Sequence, residues 1–356
     1  APPAAELLPP SYMVNLDTTA AAKGDLLPVI VPPGAKLLPM TKNVVLTPPD
    51  YPRDIRHYEF DLSGTGFQYS VGDCLGIYPH NDPEDVSQFL DEYGLAPDTI
   101  IQLEDLQDRK EALPAAMTAQ QLFTEVLDVF GKPPRRFYET LSIAAKDDAE
   151  AKEIEFLQSK EGKDKFQELL KETPHYGELM KMYPSTRLSL DYLIDHVPRI
   201  KPRLYSIASA SEMHGDMLHL CIVADDWETP SGKYRHGLCT KYLKKQSPEG
   251  RVDKLAGKMN AAGINWPDTH QFPCFMVALG TGIAPMRAMI QEREMARLRG
   301  EPVGEMALIF GARHKRTDYT YGDEFEEYHA NGKGVLTFQS NAFSRDQAHK
   351  IYVQNR

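Results

Sequence analysis

Cysteine is scarce in this chain of 356 residues: only Cys74, Cys221, Cys239 and Cys274 occur, and none sits at a CxxC or Cys/His ligand spacing. No metal site (zinc, haem iron or iron–sulfur) is readable from the sequence, and the four read as reduced thiols packed inside an intracellular protein. Long apolar runs are missing too. No stretch of about eighteen apolar residues exists, which excludes a membrane-spanning helix. Positive charge is in deficit, with 40 Lys and Arg against 51 Asp and Glu and a net charge of −11, so bulk electrostatic attraction to nucleic acid is not expected. The opening Ala1-Pro2-Pro3-Ala4-Ala5 carries neither an initiator methionine nor a signal-peptide pattern, and the expectation is a piece of a longer polypeptide.

What is present is a globular composition, 42% hydrophobic and 26% charged, on a length that suits two domains. Residues 1–34 hold Pro2, Pro3, Pro9, Pro10, Pro28, Pro32 and Pro33, which break helices and predict an extended linker. From Ala35 the apolar residues alternate, as at Val44-Val45-Leu46, His57–Leu62 and Tyr69–Pro79, predicting antiparallel strands. Between Asp82 and Val197 the period turns helical, with helices expected over Gln120–Phe130, Ile154–Leu170 and Leu188–Ile194. Strands return at Arg203–Ser209 and Leu218–Ala224. The economical description is a helical insert inside a β-domain.

The last third follows another rule. Cys274–Leu279 is a continuous apolar run, predicting a parallel strand buried on both faces. A glycine-rich turn follows, then a helix opening around Pro285 and stopping at Gly300. Met306–Phe310 reads as a second strand, Asp323–His329 as a short helix and Val335–Phe338 as a third strand. Strand, helix, strand, helix, strand is half of a doubly wound nucleotide-binding sheet.

Four segments carry candidate chemistry. Gly280-Thr281-Gly282-Ile283-Ala284-Pro285 stands where a strand hands over to a helix, so its backbone and the helix N-terminus suit a pyrophosphate. An NAD site calls for a carboxylate after the second strand. Here Arg313-His314-Lys315-Arg316 stands at that place, with Ser344, Arg345 and Lys350 after the third strand. Those cations and that hydroxyl suit a 2′-phosphate, and NADP(H) is preferred. Arg203-Leu204-Tyr205-Ser206 offers a cation, an aromatic face and a hydroxyl, the three things a flavin needs. Gly237-Leu238-Cys239-Thr240, just before a helix, offers a further backbone anion site.

In this order the four segments, the last being Phe343–Lys350, resemble the ferredoxin–NADP reductase superfamily, and its diflavin branch in particular, over residues 35–356. The resemblance implies a multi-domain chain. An antiparallel β-barrel FAD domain would span 35–270 with an α-helical connecting insert at 82–197. An α/β doubly wound parallel-sheet NADP(H) domain would follow at 271–356, incomplete at its C-terminal end. Tyr205 would stack on the isoalloxazine, Arg203 would hold the FAD pyrophosphate, and Ser206 would act catalytically beside the reactive flavin nitrogen. Cys221, Val223 and Trp227 would line the FAD site, and the amides of Gly237, Leu238, Cys239 and Thr240 would bind its phosphates. Gly280, Thr281, Gly282 and Arg313 would meet the nicotinamide nucleotide phosphates. Ser344, Arg345, Lys350, Tyr352 and Gln354 would hold the 2′-phosphate end.

Within the branch, Asp226-Trp227, Arg235–Thr240 and Ala342–Gln347 are most similar to the reductase part of pyruvate:NADP+ oxidoreductases, with sulfite reductase flavoproteins next. This implies an FMN (flavodoxin-like) domain upstream in the same polypeptide. It also implies an iron–sulfur and thiamine-diphosphate part as partner, a homo-oligomer, and a mitochondrial location, or a cytoplasmic one for the sulfite reductase type. The alternative of another class is a non-catalytic docking module within a large redox assembly.

Overall fold

The computed structural model describes residues 6–17, 26–109, 113–248, 255–261, 264, 266–267, 269–330 and 334–356. Contacts divide the chain into two units, 1–30 with 79–201 and 226–238, and 31–78 with 202–225 and 239–356. Each is built around its own apolar interior.

The first unit corrects two expectations. Residues 1–5 and 18–25 of the expected linker lie outside the described residues, but Tyr12–Asp17 is a strand, paired antiparallel with Ile100–Asp105, which in turn pairs with Ala116–Thr118. The proline-free stretch between Pro10 and Pro28 permits this, and side chains fix it. Asp195 accepts from the Ser11 amide at 2.6 Å, and the Arg109 guanidinium lies 4.1 Å over the Tyr12 ring. The insert is therefore not purely helical. Its helices are Pro83–Tyr93, Arg135–Ala144, Asp148–Gln158, Lys163–Lys171, Tyr176–Met182 and Leu190–His196. The single helix expected over Ile154–Leu170 is two, ending at Gln158 and restarting at Lys163, and the turn between them needs Gly162, where a Cβ would stand 1.8 Å from the Phe156 carbonyl oxygen. Gln120–Phe130 is likewise one α-turn and a π-turn, Leu122–Val126, whose Phe123 carbonyl and the neighbouring Leu127 carbonyl are held by the buried Asn81 amide at 2.7 and 2.8 Å.

In the second unit, two antiparallel sheets enclose one core. One runs Lys36–Leu38, Leu255–Asn260, Cys74–Tyr78, Arg203–Ser206; the other runs Met40–Val45, Ile55–Asp61, Met217–Val223. Alternation decides what fills the space between them: Tyr58, Phe60, Leu75, Ile77, Leu218, Leu220 and Ile222 are all buried in that core. The isolated bridge from Ile207 to Leu220, with the Ala208 amide donating to the His219 carbonyl at 2.8 Å, joins the sheets. Among the described residues the pairings give two antiparallel sheets rather than one closed ring, so the antiparallel part of the expectation is met and the closed barrel is not.

The same unit carries the parallel sheet Cys274–Leu279, Met306–Ala312, Phe338–Phe343, in that order. The third strand lies later than Val335–Phe338, because Val335 and Leu336 are buried plugs and the ladder starts only where Thr337 donates to the Met306 carbonyl at 2.9 Å. Burial on both faces is corrected as well. Met276, Ala278, Leu308 and Phe310 pack against the helices Ala284–Leu298 and Gly322–His329, whereas Phe275 and Leu279 are 68% and 62% exposed. Both helices cover the same face of the sheet.

Where the three-stranded antiparallel sheet meets these helices, a polar network sits beside the small apolar cluster of Ile55, Ala208, Cys221 and Ala284. His57 Nε2 and the Lys42 ammonium approach Glu59 Oε1 at 2.9 and 2.7 Å, and His219 Nε2 lies 3.8 Å from the same oxygen. Burial, then the neighbouring His214, His57 and Arg287, pushes His219 down to about 3; burial also lowers His57 and His214. Burial alone would raise Glu59, but the Lys42 and His57 hydrogen bonds outweigh it and hold the carboxyl at about 2.

This seam fixes the sign of the acid response. All three histidines are neutral in the folded state at neutral pH, and their contribution is fully present above the ordinary histidine value of 6.5. As the pH falls below it, the unfolded chain binds protons that the folded chain refuses, and stability is lost progressively toward about 3. Glu59 adds to the loss below its ordinary 4.5. The thermal unfolding midpoint should be flat above about pH 7 and fall steadily toward about pH 4, with a shallower fall in His219→Gln. A wild-type midpoint unchanged over that range would contradict this account.

Candidate functional site

The strand Arg203–Ser206 is an edge strand, bonded on one side to Cys74–Tyr78 with Ser206 opposite Cys74 and Tyr205 opposite Leu75. Arg203 is exposed while Tyr205 and Ser206 are half-buried. Tyr205 rests against the antiparallel core and shares a hydrogen bond with the Cys239 thiol. Burial, reinforced by Cys239, pushes the phenol far above its usual range. Burial also raises the Cys239 thiol, to about 11, with the Tyr205 bond opposing. Neither group ionises at neutral pH, so Tyr205 presents a neutral ring. Cys239 is the second residue of the helix Leu238–Lys245, and the next hydroxyl, of Thr240, accepts from the Asp225 amide at 3.2 Å. Tyr205 therefore lies beside a helix N-terminus.

Cys221 and Val223 sit on the strand face opposite the antiparallel core. Cys221 is buried with Ile55, Ala208 and Ala284, Val223 packs on that cluster, and burial pushes the Cys221 thiol to about 11. Trp227, Gly237 and Leu238 belong to the other unit. There Trp227, half-exposed, faces Arg235 across the hairpin of Asp226–Glu228 and Tyr234–His236. That hairpin is stapled to the insert: Arg235 Nη2 donates to Glu178 at 2.7 Å and to the Glu172 carbonyl at 3.2 Å, and the Glu172 carboxylate holds the Ser231 amide at 3.0 Å. Glu178, where the Arg235 bond overcomes burial, is held at about 2. Sequence reasoning missed Glu172 and Glu178, which look like ordinary surface acids.

At the parallel sheet, the C-terminal ends of the three strands come together. Gly280 follows the first strand with φ +52°, and no atom lies within 4 Å of where a Cβ at Gly280 or Gly282 would be. The backbone there is bare on its outer side, which suits close approach of a phosphate. The parallel ladder continues past its last strand residues: the Ser344 amide donates to the Ala312 carbonyl at 3.0 Å and the Arg345 amide to the Arg313 carbonyl at 2.9 Å. Thr281, Arg313, Ser344 and Arg345 are thus placed at neighbouring strand ends by backbone pairing. The basic patch is not purely cationic. Asp346 pairs with His314 Nδ1 at 2.8 Å and accepts from the Lys315 amide at 2.8 Å, and Asp318 accepts from the Arg313 and His314 amides at 3.2 and 2.7 Å. These acids order the loop and leave the Arg313 and Arg345 side chains without a carboxylate partner in the described ion pairs. Lys350 is exposed; Tyr352 precedes a short turn, Val353–Asn355, that contains Gln354 and places Val353 against Gly311.

His57, Glu59 and His219 have ligand atoms within 4.8 Å of one another, but the Lys42 ammonium already compensates the carboxylate and the Arg287 guanidinium faces His219 Nδ1 at 3.4 Å. Two fixed cations beside the trio disfavour a third. The donor sets that fit cofactors are the other two. Arg203, Tyr205, Ser206 and the start of Leu238–Lys245 match a flavin dinucleotide in charge, ring and hydroxyl. The open glycine turn with Arg313, Ser344 and Arg345 matches a phosphorylated nicotinamide dinucleotide.

Comparison with known proteins agrees. Residues 35–242 match the FAD binding domain family and residues 276–356 the oxidoreductase NAD-binding domain family. The chain is 38% identical over 318 residues, 88% of its length, to the sulfite reductase [NADPH] flavoprotein component of Saccharomyces cerevisiae. It is 39% identical over 313 residues, 87% of its length, to the mitochondrial pyruvate dehydrogenase [NADP(+)] of Euglena gracilis. It is 33% identical over 312 residues, 85% of its length, to the NADPH–cytochrome P450 reductase of Mus musculus. It spans 30%, 16% and 46% of those proteins. Two family matches in this order, the first over more than half of the chain, place it in the diflavin branch of the ferredoxin–NADP reductase superfamily, as an FAD- and NADP(H)-binding module.

Proposed function

We propose that the module moves reducing equivalents between NADP(H) and FAD and exchanges single electrons with an FMN domain of the same polypeptide, as the reductase part of a pyruvate:NADP+ oxidoreductase. The observation that carries the first half is the convergence of the bare glycine turn with Arg313, Ser344 and Arg345 at one end of the parallel sheet. Flavin, when bound, converts between hydride and one-electron chemistry. The chain's own residues supply the rest. Tyr205, kept neutral, shields one face of the ring; Arg203 and the amides of Gly237 to Thr240 neutralise the FAD phosphates; Ser206 offers its hydroxyl at the reacting edge. The pyruvate reading is supported by similarity to the Euglena gracilis enzyme and to the pyruvate dehydrogenase [NADP(+)] of Cryptosporidium parvum, 33% identical over 365 residues. Its partner would be an iron–sulfur and thiamine-diphosphate part, and its location a mitochondrion. The second reading, a sulfite reductase flavoprotein, is favoured by the two yeast relatives, 38% and 34% identical.

An anaerobic absorbance titration of the full-length polypeptide separates the readings. Bleaching of the flavin by NADPH, and separately by pyruvate with coenzyme A, is the expected result. Bleaching by NADPH alone would turn the assignment to the sulfite reductase type, and absence of flavin absorbance would remove the roles given to Arg203, Tyr205 and Ser206.

The 2′-phosphate end has its own test. Charge-assisted hydrogen bonds contribute about 1.5–3 kcal/mol each, so Arg345→Ala should weaken NADP+ binding by roughly 10-fold or more while NAD+ affinity stays as it was. Calorimetric titration of both nucleotides measures this, and equal losses for the two would refute the assignment.

A further inference from the structure

Two polar side chains on the inner face of the helix Ala284–Leu298 have no part in the site described so far. Arg287 and Gln291 are 7% and 1% exposed, and their four-residue spacing stacks them on one helix face. A buried guanidinium and a buried amide are costly unless bonded, and both are bonded to the same short segment. Arg287 Nη1 donates to the Ala208 carbonyl at 2.6 Å, and Gln291 Oε1 accepts from the Ala210 amide at 3.1 Å. One carboxylate steadies the pair: Glu324 Oε2 accepts from Arg287 Nε, and Glu324 Oε1 from Gln291 Nε2, each at 2.9 Å. The Tyr321 ring lies 4.5 Å from the guanidinium carbon. His219 Nδ1 faces Arg287 Nη1 at 3.4 Å, and His214 Nε2 reaches Gln291 Oε1 at 3.2 Å.

The two ends of this clamp are what give it meaning. Ala208 and Ala210 follow Ser206 by two and four residues, so the grip falls on the backbone leaving the flavin-side strand. Arg287 follows Gly282 by five residues on the helix that opens at the nucleotide turn. A helix is stiff, and directional bonds to backbone atoms fix a distance more closely than apolar contact does. We infer that Arg287 and Gln291, held by Glu324, are positioning residues that index the segment Ser206–Ala210 to the nucleotide turn Gly280–Pro285, so that the two cofactors' reacting atoms meet at the right separation. This rests on the functional reading above. Neither residue touches a cofactor; each acts through the backbone it holds.

The test uses the full-length flavin-loaded polypeptide with Gln291→Leu, Glu324→Gln, Arg287→Met and Arg287→Lys. Hydrogen–deuterium exchange reads the grip without reference to activity: the Ala210 amide should exchange about 10-fold faster or more in Gln291→Leu and Glu324→Gln. Stopped-flow flavin reduction at saturating NADPH should slow by about 10-fold or more in Arg287→Met, with FAD content and NADP+ affinity within about twofold of wild type, because small misplacements act on rate rather than binding. Arg287→Lys should recover part of that rate. Unchanged exchange at Ala210, a wild-type reduction rate in Arg287→Met, or a parallel loss of NADP+ affinity and rate would each overturn the inference. If Arg287→Met does not retain FAD, Glu324→Gln decides by the same two readouts. A wild-type enzyme that NADPH fails to reduce would overturn the functional reading instead, while the exchange result would still decide whether the clamp holds its segment.

Discussion

The parallel register that sets Ala278 beside Phe310, and Phe310 beside Asn341, governs the nucleotide half. It determines that the Gly280 turn, Arg313 and Ser344 emerge at one end of the sheet and not at opposite ends, and that the connecting helix starts where the phosphates would lie. Because successive strand residues point to opposite faces, the same register puts Met276, Leu308 and Phe310 under the helices. A slip of one residue would bury the wrong face and scatter the cations together.

The flavin half depends on a different constraint, the placing of an edge strand. Among the described residues Arg203–Ser206 is paired on one side only; Arg203 is exposed while Tyr205 is anchored through Cys239. Edge strands usually need protection. On the function proposed above, the anchored tyrosine would give the flavin ring a neutral surface at this strand.

Much of this was legible in the sequence because it depends on short-range chemistry. The strand–glycine–helix order at Cys274–Leu298 and the cation pattern after the second and third strands follow from local patterning, as does the helical period of the insert. The misreadings have physical causes. Pro9, Pro10 and Pro28 mask a strand at Tyr12–Asp17 that exists because of partners nearly ninety residues away at Ile100–Asp105. An apolar run such as Cys274–Leu279 does not say how many of its faces are covered. Glu324, Arg287 and Gln291 were not singled out because a polar residue in a helix reads as solvated until its depth is known, and Glu172 and Glu178 were overlooked for the same reason.

Those two glutamates also bear on how far such a chain could be shortened. The insert looks dispensable in a map of cofactor motifs, since every motif lies outside 82–197. Yet the hairpin that carries Trp227 is fastened through Arg235 and Ser231 to acceptors that the insert provides. A minimised version with the insert deleted would keep every recognised motif and still leave that hairpin's arginine unpaired, so the smallest working unit is larger than the sum of its motifs.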